Sequence, residues 1–293
     1  NMSKWEIKSG NPYAQVTVYS WEDFLGILEE YFLDWNEFIY RGHRDSTWNL
    51  QSTFDRTYKN VINELGKENS KDLPKFRYEE CLKQHLDNFI NNCTGKRGRN
   101  PRILTESEWW ALGQHFGLET PLLDWTKAPF IAAYFALENK NIPPSQLRTV
   151  WAFSQLGQLE IICNQDENYD LPLDTLEHIR LIICPIDENE RLLAQQGIFT
   201  ITPNGYSIEE FILERVDIVG FSPILYRIDI PEYLRGVFLK YLEAMNINSA
   251  TIFPDLIGTS LFTNRQFEKM LLKEKFQNSP EFIMRLGQHE IAH

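Results

Sequence analysis

Residues 114–137 read QHFGLETPLLDWTKAPFIAAYFAL, and the fold class turns on them. The second half, APFIAAYFAL, predicts an apolar helix in which Ala132, Ala133 and Ala136 let a neighbouring element approach closely. The first half sets polar groups among apolar ones. Asp124 is flanked by Leu122, Leu123 and Trp125, and a carboxylate in such surroundings needs a partner. Just upstream, TESEWWALGQHFG opens as a capping box, with Thr105 as cap and Glu108 three residues later, and predicts a helix ending near Gly117.

Toward the N-terminus, Trp21, Phe24, Leu25, Leu28 and Phe32 recur at helical spacing behind Ser20, a suitable cap. EFIYRGH, residues 37–43, is short, β-branched and aromatic, and predicts a buried strand with Arg41 at its end and Gly42 leading into a loop. Residues 54–65 and 76–91 carry heptad-like apolar spacing, with Pro74 placed to start the second segment, and predict a helical insertion over about residues 53–100. The basic run CTGKRGRNPR, residues 93–102, is expected to be a flexible loop. It is either a solvated surface or a phosphate clamp built from Lys96, Arg97, Arg99 and Arg102.

Toward the C-terminus, TVWAFS, RLIICPI, GIFTI and ILYRIDI are β-rich runs that should share one sheet. IPEYLRGVFLKYLEAMNI and TSLFTNRQFEKMLLKEKF read as helices, the first with Pro231 tolerated in its first turn. No fixed repeat and no Gly/Ser/Pro-rich linker divides the chain. The expected fold is therefore α+β, a single composite domain with a central mixed or antiparallel sheet and several peripheral helices, followed from residue 261 by a C-terminal helix and polar tail.

Of 293 residues, 43% are hydrophobic and 13% aromatic, which supplies a real core and excludes disordered and fibrous classes. Acidic residues outnumber basic ones 41 to 29, and the net charge of −12 argues against a protein that coats duplex nucleic acid while leaving room for a local basic pocket. Cys81, Cys93, Cys163 and Cys184 form no CxxC pair and read as free, mostly buried thiols of a reducing compartment. With no apolar run long enough to span a bilayer, the expectation is a cytoplasmic protein without a membrane partner.

Three islands concentrate polar residues inside structured, apolar sequence: IYRGH at 39–43, QHFGLETPLLDWT at 114–126 and ERLLAQQGIF at 190–199. Arg41 cannot lose its charge, so it must meet a carboxylate, a phosphate or a wet cleft, and Asp124 is the obvious carboxylate. The pair either lines a site or simply locks two elements together. His115 is either a general base or clamp, or a structural helix-end histidine. The six histidines show no ligand spacing, so no metal is expected. GxGxxG, GxxxxGKS and GxSxG are all missing, which gives dinucleotide-fold, P-loop and hydrolase-elbow readings no support.

The islands YRG, QHFGLETPLLDWTKAPFIAAYFA and RLLAQQGIF, with FPDLIG at 253–258, resemble the FRG domain over roughly residues 20–260. Their order is also similar to that of ADP-ribosyltransferases, which implies a transferase-like core with NAD as cofactor. On that resemblance Tyr40, Arg41 and Gly42 match the first motif, and Leu122 to Thr126 stand where the second strand lies. Arg41 would hold the NAD pyrophosphate or ribose, Thr126 would donate to the nicotinamide ribose, and Trp125 would offer an aromatic face or fill core. His43, Gln114, His115 and Thr120 complete the implied cofactor-binding set. The third motif departs from the pattern. Transferases of this kind place a carboxylate there, whereas this chain has Gln195 and Gln196, so the anion would come from Asp124 or Glu190, or the site binds without turnover.

Three function classes follow. The first is an NAD-dependent ADP-ribosyltransferase with Arg41, Asp124 and Gln195 at its centre, acting as an intracellular toxin or antiviral (phage-defence) effector on RNA or protein and held by an antitoxin partner. The second is a non-catalytic module that senses a nucleotide or RNA. The third is an RNA-cleaving hydrolase in which Asp124 and His115 share acid–base work.

Overall fold

Ile39 and Tyr40, adjacent on one strand, point into different apolar cores, because successive side chains of a strand face opposite sides of a sheet. A computed structural model describes residues 5–7, 11–33, 37–64, 75–157, 178–184, 190–215 and 224–277. Its strands are β1 (Glu6–Ile7), β2 (Ala14–Thr17), β3 (Phe38–His43), β4 (Leu123–Thr126), β5 (Leu147–Ser154), β6 (Arg180–Ile182), β7 (Gly197–Ile201) and β8 (Leu225–Pro231). They form one sheet in the order β1-β2-β8-β5-β3-β4-β7-β6. Every neighbouring pair is antiparallel except β2 with β8. The fold is thus α+β on a mixed sheet, and the four β-rich runs of the second half do share it.

Around the sheet lie α1 (Trp21–Tyr31), α2 (Thr53–Glu64), α3 (Lys75–Asn92), α4 (Glu106–His115), α5 (Pro129–Leu137), α6 (Glu190–Ala194), α7 (Ile208–Arg215), α8 (Arg235–Ala244), α9 (Ser249–Ile252) and α10 (Leu256–Gln277). One face carries Tyr40, Val150, Ala152 and Ile228 against α1, α5 and α8. The other carries Ile39, Trp151, Phe153 and Trp125 against α7. Each large apolar side chain withdrawn from water here contributes about 1.5–3 kcal/mol. A third cluster, with Trp110, Leu122, Leu192 and Phe199, joins α4 to β7 and α6.

Local chemistry sets the ends of these helices. Ser20 Oγ accepts the Asp23 N–H and starts α1. Thr105 and Glu108 form the reciprocal box that starts α4. The carbonyls at the end of α5 meet two arginines: buried Arg148 donates to Ala136 O at 2.8 Å, and Arg235 donates to Leu137 O at 2.7 Å and Glu138 O at 3.0 Å.

Several expectations need correction. Arg41 sits inside β3, which continues to His43. Pro231 closes β8, and a 3-10 turn, Glu232–Leu234, precedes α8, because residues 225–231 are held in the ladder to β5. Cys81 is exposed and Cys184 buried, while Cys163 lies outside the described residues. The basic run does not present a free cluster of guanidinium groups: Arg97 lies over the Trp109 ring at 4.7 Å and Arg102 donates to Glu108 at 2.6 Å. The polar tail beyond residue 277 also lies outside the described residues.

Candidate functional site

The sheet nearly comes apart between β3 and β4. β3 pairs with β5 over six residues and β4 pairs with β7 over four, but β3 meets β4 only at Tyr40↔Thr126. Beyond that bridge the strands diverge, and a cavity of about 510 Å³ opens there, a size usual for small-ligand sites.

Gly42 lets the gap form beside a helix. A Cβ on it would stand 2.0 Å from Ala132 O and 2.5 Å from Ala136 N, so α5 rests directly on the β3 backbone. This is the close approach for which the alanines of APFIAAYFAL leave room.

Arg41 spans the opening. Its Nε donates to His43 Nε2 at 2.9 Å, and its Nη1 donates to the Asp124 backbone carbonyl at 2.5 Å, where a ladder bond would otherwise lie. The Asp124 carboxylate is 3.6 Å from Nη1, and Nη2 has no partner among the described residues. His43 is buried, and burial and then the Arg41 charge hold its pKa well below the ordinary histidine range. Its Nε2 accepts from Arg41 Nε, so a neutral ring carries its one proton on Nδ1; the Trp151 indole nitrogen lies 3.2 Å from that nitrogen, and a hydrogen bond to the Trp48 backbone works against the shift. The ring stays neutral and braces Arg41. Burial works against the Arg41 charge, and Asp124 supports it.

Asp124 is held from the other side. Gln114 Nε2 donates to Asp124 Oδ1 at 2.6 Å, and Gln114 Oε1 accepts from Thr120 Oγ1, which fixes which way the amide points. Asp124 is nonetheless 61% exposed, so its pairing with Arg41 is an open contact and not a buried lock.

The third island closes the far wall. After α6, Gln196 takes a left-handed conformation (φ 47°) and the chain turns into β7. A Cβ on Gly197 would sit 2.3 Å from Leu192 Cδ1, so the Leu192 side chain packs directly on the start of β7. Thr126 Oγ1 donates to Gln195 O at 2.7 Å and accepts the Ala128 N–H at 3.0 Å, so its proton is directed into the protein and not toward a ligand. The Gln195 side chain donates to Ile252 O at 3.3 Å.

FPDLIG arrives at the same place. Arg191 donates to Asp255 at 2.5 Å and lies 5.5 Å over the Phe253 ring. Gly258 folds the start of α10 back, its missing Cβ falling 1.9 Å from Phe253 O.

Of the residues expected at the site, Tyr40, Arg41, Gly42, Gln114 and His115 line the cavity, as do Asp124, Trp125, Thr126 and Gln195. His43 and Thr120 are buried behind its wall and act through Arg41 and Gln114. His115 is exposed, and no hydrogen bond joins it to Asp124. Trp125 is 3% exposed and mainly fills core, its indole bonded to Thr200 at 2.8 Å. Sequence reasoning did not assign Arg191, although it quoted the motif that contains it. It also passed over Arg44, which lies 4.9 Å over the half-exposed Trp48 ring, and Glu138 at the end of α5. Among the described residues no group of His, Cys, Asp and Glu is arranged to hold a metal, and no helix is long and apolar enough to cross a membrane.

An α+β protein whose mixed sheet splits around an arginine-bearing cavity is what fold and site define. The family model of the FRG domain matches residues 36–143. That stretch includes YRG and the whole of QHFGLETPLLDWTKAPFIAAYFAL and ends before RLLAQQGIF and FPDLIG, which the fold brings to the same cavity. No curated protein and no solved structure matches the chain.

Proposed function

We propose that the cavity binds NAD and that the chain transfers ADP-ribose to RNA or protein. The observation that carries this reading is Arg41, braced by a neutral histidine and a backbone carbonyl and left with Nη2 open inside a cavity of about 510 Å³. A guanidinium fixed on two sides keeps its remaining donors oriented, which favours a pyrophosphate. Arg44 on Trp48 and Arg191 on Phe253 add two further cation–aromatic pairs to the wall, suited to a ligand with two rings and phosphates between them. The test is nicotinamide release by wild type and Arg41→Ala, with and without total RNA or cell extract. Release that falls about 100-fold in the variant, with its fold retained, is expected. A wild type that neither releases nicotinamide nor melts higher with NAD would sink the reading.

One observation favours a second reading, nucleotide binding without turnover: the third island offers Gln195, whose amide is turned to Ile252 O. In that case NAD or another nucleotide raises the melting temperature while nicotinamide stays attached.

A further inference from the structure

Glu138 follows the last residue of α5 and lines the cavity half-buried, and its carboxylate accepts no hydrogen bond from any described residue. The other carboxylates named for the site differ. Asp124 is bonded by Gln114 and faces Arg41, and Glu190 is exposed and does not line the cavity. A carboxylate has about four acceptor positions, and those of Glu138 are left for a ligand or for water. Resting on the NAD reading above, the geometry points to Glu138 as the acceptor of a ribose hydroxyl and as the anion beside C1′ when the glycosidic bond breaks. It supplies from α5 what Gln195 lacks. In that step the C1′–N bond breaks and its electron pair leaves on the nicotinamide nitrogen, which becomes neutral. The acceptor's nucleophile bonds C1′ and gives its proton to water. Glu138 stays ionised throughout and offsets the positive charge that builds on the ribose.

Burial raises the Glu138 pKa, and Arg265 of α10 pulls it back. Tyr134, one turn earlier on α5, is the other titratable group against it, and Arg235 bonds its backbone carbonyl.

The experiment compares wild type, Glu138→Gln and Arg41→Ala, titrating each full chain with NAD and with inorganic pyrophosphate, which has no hydroxyl, and following nicotinamide release. Glu138→Gln is expected to bind NAD about 10-fold more weakly while binding pyrophosphate at least as well as wild type. Where wild type releases nicotinamide, the variant should release it about 100-fold more slowly. Unchanged NAD affinity in Glu138→Gln overturns the assignment and leaves the NAD reading standing. Equal weakening toward NAD and pyrophosphate also overturns it, since that marks general damage to the cavity. A wild type that does not bind NAD overturns the reading and the assignment together.

Discussion

Arg41 is held by acceptors of two kinds, and both are needed. The neutral His43 ring takes Nε and the Asp124 carbonyl takes Nη1, so the guanidinium plane is set by geometry while its charge is only partly balanced by an exposed carboxylate. A lysine has no such fork and would leave one of the acceptors bare. A buried acid behaves differently. Asp55 of α2 is 1% exposed, accepts from Ser52 at 2.7 Å and from Tyr78 at 2.5 Å, and burial pushes its pKa from 3.8 up to about 6. Because the folded pKa lies above the unfolded one, the protonated form favours the fold. That contribution is full below about pH 3.8 and is lost as pH rises through about 6. Asp55→Asn keeps an acceptor for Tyr78 without the charge. It should match wild type near pH 4 and exceed it by up to about 3 kcal/mol at pH 8. Urea denaturation of both proteins at pH 4, 6 and 8 measures the difference, and parallel curves would remove Asp55 from the account.

At the scale of elements, the contact between β3 and α5 sets the width of the cavity. Gly42→Ala forces a methyl into the α5 backbone, where no side chain can swing aside, so the helix or the strand must move. The expected loss is about 3 kcal/mol or more, seen as a melting temperature lower by roughly 6 °C or more. A variant that melts like wild type would show that α5 is free to shift. The small residues of APFIAAYFAL and the glycine of YRG were legible in sequence because both announce close approach. The Arg41–Asp124 contact was legible because two charged groups in apolar surroundings need partners. Glu138 was not. It reads as the first polar residue after an apolar helix, and only the direction in which α5 crosses the gap between β3 and β4 brings it to the cavity. Arg191 was hidden for a similar reason, since its partners Phe253 and Asp255 lie about sixty residues away, in the turn that follows α9, and are joined to it by the packing of α6 against α9.

For the whole molecule, the net charge of −12 and the cluster of arginines in one cavity act at different ranges. Beyond a Debye length, about 8–10 Å in ordinary buffer, a polyanion meets a repulsive surface; within the cavity a small anion meets Arg41, Arg44 and Arg191 at close quarters, where salt screens little. The engaged guanidinium groups of Arg97 and Arg102 work in the same direction, because the one basic run of the sequence is folded onto α4 instead of extending a track for a nucleic-acid backbone. NAD affinity should therefore change less than about 5-fold between 50 and 500 mM salt, as expected for a few short-range contacts. A single-stranded RNA seated by about six phosphates would lose about 10⁴-fold over the same range through counterion release. Titrating the protein with NAD and with a short RNA across that range separates the two ligand classes directly. A steep slope for RNA, with no NAD binding at any salt, would assign the cavity arginines to a nucleic-acid backbone in place of a dinucleotide.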